Sequence, residues 1–285
     1  MARQLDAVTR EALVERIRFY RDLGLTEFYR RPVEQTAEPV VDAEERAESP
    51  EAAPVTEPQV SNHQTQTRPF MEEQAIPPRK PFPAQPPVAD AVAAADRVAA
   101  LNIIREEIGE CTRCALHKGR NKLVFADGDP NARLMFVGEG PGADEDTQGL
   151  PFVGRAGQLL NNMIRAMGLK REEVYICNVV KCRPPGNRTP EPEEANTCTP
   201  FLFKQIDVVQ PQVIVALGST AATYLLGHRQ PLAGLRGRVH AFRGMQLIVT
   251  YHPAFLLRDP RQKKEAWADL QIAMKELGLT KASSS

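Results

Sequence analysis

The sequence lacks long apolar runs. No segment reaches the roughly 20 apolar residues that a membrane-spanning helix needs. Charged residues interrupt the stretch from Met1 to Glu15, so the chain also lacks the apolar core of a secretion signal. We therefore expect a cytoplasmic protein without a membrane segment, in which cysteines stay reduced and are more apt to bind metal than to pair as disulfides.

The sequence also carries no net charge, with 36 basic and 36 acidic residues. The two signs are unevenly distributed, because residues 1–90 hold 11 Lys and Arg against 16 Asp and Glu, and residues 91–285 hold 25 against 20. The modest positive balance of the second part fits a polyanionic partner such as nucleic acid without requiring one.

Residues 32–90 lack any sustained apolar period and contain 12 of the 24 prolines. Such a composition cannot bury a core, so this segment is predicted to be a disordered, semi-stiff linker. Before it, apolar side chains at helical spacing between Leu5 and Tyr29 predict a helical extension over residues 1–31. The extension either folds back on its own domain or docks on a partner.

Residues 91–285 alternate between short β-branched runs and helical patterns. This alternation predicts an α/β domain of three layers, with a central, mainly parallel, four-stranded sheet flanked by helices. The predicted strands are 132–137, 174–180, 213–217 and 247–250. The predicted helices are 91–108, 157–167, 192–208, 220–226 and 263–277.

Polar or glycine-rich residues follow each predicted strand. The first strand precedes Gly138 to Gly142, the second ends at Asn178, the third precedes Gly218 and Ser219, and the fourth precedes His252. Parallel α/β sheets bind ligands beyond the carboxyl ends of their strands, so these residues are predicted to line one site. The spacing G-x-G-P-G differs from the dinucleotide-binding pattern, and its proline has no amide to donate to a phosphate.

Four cysteines form a candidate metal site. Cys111 and Cys114 are separated by two residues, while Cys182 follows the second predicted strand and Cys198 lies on a predicted helix. Four thiolates can hold zinc or an iron–sulfur cluster, and the spacing does not choose between them. The fifth, Cys177, lies inside an apolar strand and is interpreted as a core thiol.

Five motifs in this order resemble those of the family 4 uracil-DNA glycosylases. They cover residues 110–116, 138–146, 151–159, 178–190 and 252–254, and the resemblance extends from about residue 108 to residue 277. It implies the uracil-DNA glycosylase fold and hydrolysis of the bond between uracil and deoxyribose in single- or double-stranded DNA, which leaves an abasic site for base excision repair. It also implies a 4Fe–4S cluster, rather than zinc, on Cys111, Cys114, Cys182 and Cys198. We further expect a monomer. A repair or replication protein would be the partner of residues 1–31, which lie outside the resemblance.

The resemblance assigns three residues to uracil. Asn178 matches the asparagine that reads the base, because its amide complements the donor at N3 and the acceptor at O4. Phe152 matches the aromatic residue that stacks on the base. His252 matches the histidine that donates to the leaving anion.

The residue that positions the attacking water is left open. In well-known uracil glycosylases an aspartate stands where this sequence has Gly140, so Gly140, like Gly138, is expected only to contact the base. Glu139 would orient the water or bind the base edge, and Glu145 would shape the pocket against the methyl group of thymine.

Basic residues on the same loops are predicted to contact DNA phosphates. They are Arg155, Lys181, Arg183, Arg188 and Arg258. Leu256 or Leu257 is predicted to fill the gap left by the flipped base. Two alternatives are an iron–sulfur DNA-binding protein with a degenerate pocket and no activity, and a relative that cross-links to DNA through a loop histidine. The second is disfavoured because residues 183–189 contain no histidine.

Overall fold

The computed structural model describes Phe82 and residues 85–279. The predicted helical extension at residues 1–31 and most of the predicted linker at residues 32–90 lie outside the described residues. The predicted monomer stays a prediction, as does the predicted partner of residues 1–31.

A six-stranded sheet forms the middle layer, in the order β1-β3-β2-β4-β6-β5. The strands are β1 Asp127–Gly128, β2 Leu134–Gly138, β3 Tyr175–Asn178, β4 Val213–Leu217, β5 Val239–Phe242 and β6 Met245–Thr250. The four central strands run parallel and correspond to the four predicted ones, which confirms the predicted α/β class. The two antiparallel edge strands were not predicted, because β1 has only two residues and β5 is largely exposed.

Helices cover both faces of this sheet. They are α1 Arg97–Ile108, α2 Ala143–Gln148, α3 Arg155–Ala166, α4 Pro192–Val209, α5 Gly218–Leu226, α6 Leu232–Leu235, α7 Pro253–Arg258 and α8 Lys263–Glu276. In the part of the chain that the structure describes, none of these helices is both long and apolar enough to cross a bilayer.

The alternation of side chains along each strand divides the core into two halves. Met135 and Val137 of β2 pack with α1, α4 and α5, while Leu134 and Phe136 pack with α3 and α8 on the opposite face. Every residue of β2, β3 and β4 is buried, as expected for parallel strands covered on both sides. Cys177 belongs to the first half and is fully buried, which confirms its interpretation as a core thiol.

A buried ion pair attaches the end of the predicted linker to the domain. The guanidinium of Arg243 donates to Asp207 at 2.6 Å and also to the carbonyl oxygens of Pro86 and Pro87. Phe82 adds an edge-on ring contact with Tyr224. The ordered contacts of the domain therefore begin before residue 91, where the sequence placed its boundary.

We expect Asp207→Ala to lower the free energy of unfolding by about 3–5 kcal/mol, because the Arg243 guanidinium would stay buried without its carboxylate. Urea denaturation followed by circular dichroism measures this change. The matched control is Arg261→Ala, since Arg261 pairs with Asp259 but is 87% exposed and its loss should leave unfolding unchanged. Equal effects of the two substitutions would contradict the stabilising role of the buried pair.

Candidate active site

A cleft of about 650 Å³ lies beyond the carboxyl ends of the four parallel strands. Each strand end contributes to its lining: Glu139 and Gly140 after β2, Asn178 in β3, Gly218 after β4 and His252 after β6. This is where open α/β sheets bind ligands. The structure thus brings the four strand-end signatures of the sequence together in one site.

Asn178 lies at the bottom of the cleft with its side-chain oxygen unpaired. Its Oδ1 atom is buried and has no hydrogen-bond partner among the residues that the structure describes. In the parallel register of β2 and β3, Gly138 lies beside Asn178, and a Cβ atom on this glycine would be 2.3 Å from Oδ1 and 2.5 Å from the ring of Phe152. The missing side chain of Gly138 therefore makes the space around the amide. An unpaired buried acceptor is unfavourable until a ligand donates to it.

Phe152 covers the cleft from the loop between α2 and α3. Its ring lies 5.6 Å from the ring of His252, and its backbone has a φ of +52°. Gly157 permits this conformation, because a Cβ atom there would lie only 1.8 Å from the carbonyl oxygen of Phe152. Gly140 is less tightly confined, since a Cβ atom there would be 2.7 Å from the side chain of Val180. Both Phe152 and Gly140 line the cleft, as predicted.

His252 is the N-cap residue of α7. Its Nδ1 atom accepts a hydrogen bond from the amide of Ala254 at 3.1 Å, so in the neutral ring the proton resides on Nε2. The pKa of His252 is lowered to about 4, mainly by burial and also by the charge of Arg258, whereas the charge of Glu145 opposes the shift. At neutral pH the ring is therefore uncharged and presents an N–H donor at Nε2.

The two predicted carboxylates occupy different environments. Glu139 accepts a hydrogen bond from the hydroxyl of Thr220 at the edge of the cleft. Glu145 accepts from the amides of Gly142, Val153 and Gly154 at 2.9–3.0 Å, which ties the glycine turn to the loop that carries Phe152. Both Glu145 oxygens are therefore engaged by backbone, and this residue acts on the cleft by holding its loops.

Arg171 was missed by the sequence analysis. It lies in a short turn before β3, and its guanidinium donates to the carbonyl oxygens of Pro151 at 2.6 Å and Phe152 at 3.2 Å. It also bonds to Asp127 and Asn161. No recognised motif contains it, so the sequence offered no signal for its contact with the loop.

Of the four arginines predicted to contact DNA, three line the cleft and one does not. Arg155, Arg188 and Arg258 line the cleft, although Arg188 is partly neutralised by Glu194 at 2.7 Å. Arg183 is outside the lining and bonds to Asn187.

Two predictions for the DNA surface are wrong. Lys181 is 1% exposed, and its amine donates to the backbone oxygen of Asn178 and to Gln205, so it cannot reach a phosphate from this position. Leu256 is also 1% exposed and packs in the core, where it cannot act as a wedge. Its neighbour Leu257 is 37% exposed, so the prediction of a wedge remains for Leu257.

The four cysteines predicted to bind metal pack against the same half of the core, and Cys198 lies on α4 itself. The charges of Cys111 and Cys114 bear on the pKa of Cys182, and those of Cys114 and Cys182 bear on that of Cys198, which places all four thiols near one another. Burial is the main cause that raises the pKa of Cys114 and Cys182, and it raises that of Cys198 to about 11.

Donors surround these sulfur atoms. Arg120 donates to Cys182 Sγ, Arg113 donates to Cys111 Sγ, both at 3.3 Å, and the amide of Lys181 donates to Cys198 Sγ at 3.4 Å. These contacts suit sulfur atoms that carry negative charge. In the described ranges no three His, Cys, Asp or Glu side chains are arranged around a single metal ion.

Comparisons with known proteins agree with this geometry. A family model described as the uracil DNA glycosylase superfamily matches residues 125–271. The chain is 48% identical to a type-4 uracil-DNA glycosylase of Thermotoga maritima over 161 residues, which cover 56% of this chain and 84% of the relative. It is 42% identical to one of Sulfurisphaera tokodaii over 189 residues, covering 63% and 86% respectively. A type-5 uracil-DNA glycosylase of Thermus thermophilus is 33% identical over 149 residues, or 44% of this chain and 66% of the relative. The strand-end cleft and these matches together show that the chain belongs to the uracil-DNA glycosylase superfamily and, within it, to the type-4 family.

Proposed function

We propose that this protein is a uracil-DNA glycosylase, which hydrolyses the N-glycosidic bond of a flipped-out deoxyuridine and leaves an abasic site in DNA. The observation that carries this conclusion is the Asn178 amide, buried at the end of β3 with its oxygen unpaired among the described residues. A base inside a duplex is inaccessible, so the nucleotide must first rotate out of the stack into the cleft.

Asn178 distinguishes uracil from cytosine. Its oxygen accepts from N3–H of uracil while its NH₂ group donates to O4, so the orphaned acceptor gains its partner from the substrate. Cytosine presents an acceptor at N3 and a donor at the neighbouring position, which opposes both groups of the amide. Buried polar groups that face the wrong partner lower affinity by roughly 1–3 kcal/mol each.

Phe152 holds the base from one face. Aromatic stacking contributes on the order of 1–3 kcal/mol per base and does not depend on which base is present. The ring lies against both His252 and the space left by Gly138. Stacking therefore fixes the plane in which Asn178 and His252 read the uracil edge.

His252 stabilises the leaving group. When the glycosidic bond breaks, its electron pair stays on uracil and places negative charge on O2 and O4, while the sugar becomes oxocarbenium-like. The Nε2–H donor of the neutral ring is held in place by the bond from Ala254 to Nδ1, so it is oriented before the charge develops. A preorganised donor of this kind favours the transition state over the uncharged ground state.

Glu139 is the carboxylate that we assign to the attacking water. It lines the cleft next to Gly140, and Thr220 donates to one of its oxygens, which fixes the side chain. Gly140 has no side chain to act as a base. The carboxylate of Glu139 would orient a water towards the sugar carbon as the oxocarbenium character develops.

Arg155, Arg188 and Arg258 would contact phosphates around the flipped nucleotide, and Arg183, which bonds to the cleft residue Asn187, would contact a phosphate farther out. Such contacts position the DNA without reading its sequence. Leu257 is the exposed apolar side chain on the same helix as Leu256, and we assign the wedge to it.

We also propose that Cys111, Cys114, Cys182 and Cys198 hold a 4Fe–4S cluster. The residues fit this group, because all four donors are thiols and N–H groups approach three of the sulfur atoms. When bound, the cluster would cross-link the segment before β1 to the loop after β3 and to α4. Glycosidic hydrolysis transfers no electrons, so a structural role accounts for the site. A cytoplasmic location is part of the proposal, since thiols stay reduced there and would be available to hold a cluster.

The activity is tested by incubating the protein with a uracil-containing oligonucleotide and cleaving the product with alkali. We expect strand scission at uracil, and for His252→Ala a single-turnover rate lower by on the order of 10²–10³ with nearly unchanged DNA affinity. Because the pKa of His252 is about 4, its ring stays neutral as the pH falls through 6.5, and the wild-type rate should show no inflection there. No scission by the unaltered protein would overturn the proposed activity, and a wild-type rate for His252→Ala would remove this residue from the mechanism.

Asn178→Asp should lower the excision rate by about 5- to 150-fold, the equivalent of 1–3 kcal/mol, because the carboxylate has no donor for O4 of uracil. The same single-turnover assay measures it. Asn131→Asp makes the same chemical change at an exposed position and is the matched control. Unchanged excision by Asn178→Asp would show that the amide does not read the base.

Cys182→Ala should lose bound iron and the visible absorption of the cluster, whereas the unaltered protein should hold about four iron atoms per chain. Metal analysis and absorption spectroscopy provide the measurement. Cys177→Ala is the control, since this thiol is fully buried in the core and should not affect iron content. Full iron retention in Cys182→Ala would remove Cys182 from the ligand set. Zinc instead of iron in the unaltered protein would contradict the proposed 4Fe–4S cluster.

A further inference from the structure

We infer that Arg171 is a positioning residue for uracil excision, which acts by holding Phe152 in the conformation that stacks on the base. The inference rests on the proposed function, since it explains how the stacking side chain is oriented. Arg171 itself is not among the residues that line the cleft.

The loop that carries Phe152 is held from two sides. On the carbonyl side, the planar guanidinium of Arg171 reaches the oxygens of Pro151 and Phe152 together. On the amide side, the Glu145 carboxylate accepts from Val153 and Gly154. Consecutive peptide groups of one loop are thus bound by opposite charges.

The backbone conformation of Phe152 requires such support. Its φ of +52° lies in the left-handed region, which is unfavourable for a residue with a large side chain and persists only where the surroundings enforce it. Gly157 provides the space for the Phe152 carbonyl, and Arg171 provides the donor that this carbonyl needs. Without the donor, the peptide would be free to rotate and the ring would leave its place beside His252.

Arg171 is itself fixed by two further contacts. Its Nε atom donates to Asp127 at 2.8 Å, and Nη1 donates to Asn161 at 2.8 Å. Its side chain is 18% exposed, so the guanidinium lies mostly out of solvent. Asp127 is on edge strand β1 and Asn161 is on α3. Arg171 therefore connects the loop that carries Phe152 to a strand and a helix of the domain. Lysine could keep the charge opposite Asp127, but it lacks the planar fork that reaches two carbonyl oxygens.

A double-mutant cycle tests the inference. The variants are Arg171→Met, Phe152→Ala and both together, with Arg133→Met as the control, because Arg133 likewise joins two segments through Gln212 and the Leu277 carbonyl. Single-turnover excision, inhibition by free uracil and thermal unfolding are measured for each. Arg171→Met should lower the rate and the affinity for free uracil by about 5- to 150-fold, which is the range expected from the loss of stacking on one base.

The coupling decides the outcome. If Arg171 acts through the ring, Arg171→Met should add no further loss once Phe152 is alanine, whereas the full loss in both backgrounds would overturn the inference. Arg171→Lys should restore thermal stability without restoring the rate or the uracil affinity, and recovery of all three would show a merely structural role. The control Arg133→Met should lower thermal stability at most and leave the excision rate and the affinity for free uracil unchanged. Absence of excision by the unaltered protein would instead overturn the proposed function, and this inference with it.

Discussion

Gly138 and Asn178 are neighbours in the parallel register of β2 and β3, and the cleft depends on this pairing. Because the glycine has no Cβ atom, the Asn178 amide and the Phe152 ring can meet above one strand end. Any larger residue at position 138 would collide with the Asn178 oxygen and the Phe152 ring. The hydrogen bonds of the sheet thus set the position of the amide far more rigidly than a loop would, which suits a site that reads donor and acceptor positions.

Burial at the strand ends also fixes the protonation of His252. A charged imidazolium would be disfavoured there and further opposed by Arg258, so the ring remains neutral. A neutral donor stabilises an anion through its dipole, and its alignment matters more than its charge. The backbone bond to Nδ1 supplies that alignment, because it leaves Nε2 as the nitrogen that carries the proton.

The central fold could be predicted from sequence because each parallel strand is a short, largely apolar run that ends at or just before a polar or glycine signature. The directions in which individual side chains point could not be predicted from sequence. Lys181 follows Val180 near the site in sequence, yet its side chain points into the core towards Gln205 of α4, and Leu256 turns inward while Leu257 turns out. Arg171 belongs to no motif and reaches Phe152 only because the turn before β3 folds back on the loop. Contacts between segments distant in sequence are decided by packing, which a linear pattern does not contain.

Lys181 also shows how the cysteine region and the base-reading strand are connected. Its backbone amide donates to Cys198 Sγ, while its side-chain amine donates to the carbonyl oxygen of Asn178. One residue therefore links a thiol of the proposed cluster to the peptide of Asn178, whose side-chain amide we propose to read uracil. Burial lowers the pKa of the lysine, and the nearby thiols Cys177 and Cys198 counter that effect when they are negatively charged. A cross-link among the four cysteines would consequently restrain the strand end that carries Asn178, even though the cysteines are absent from the lining of the cleft.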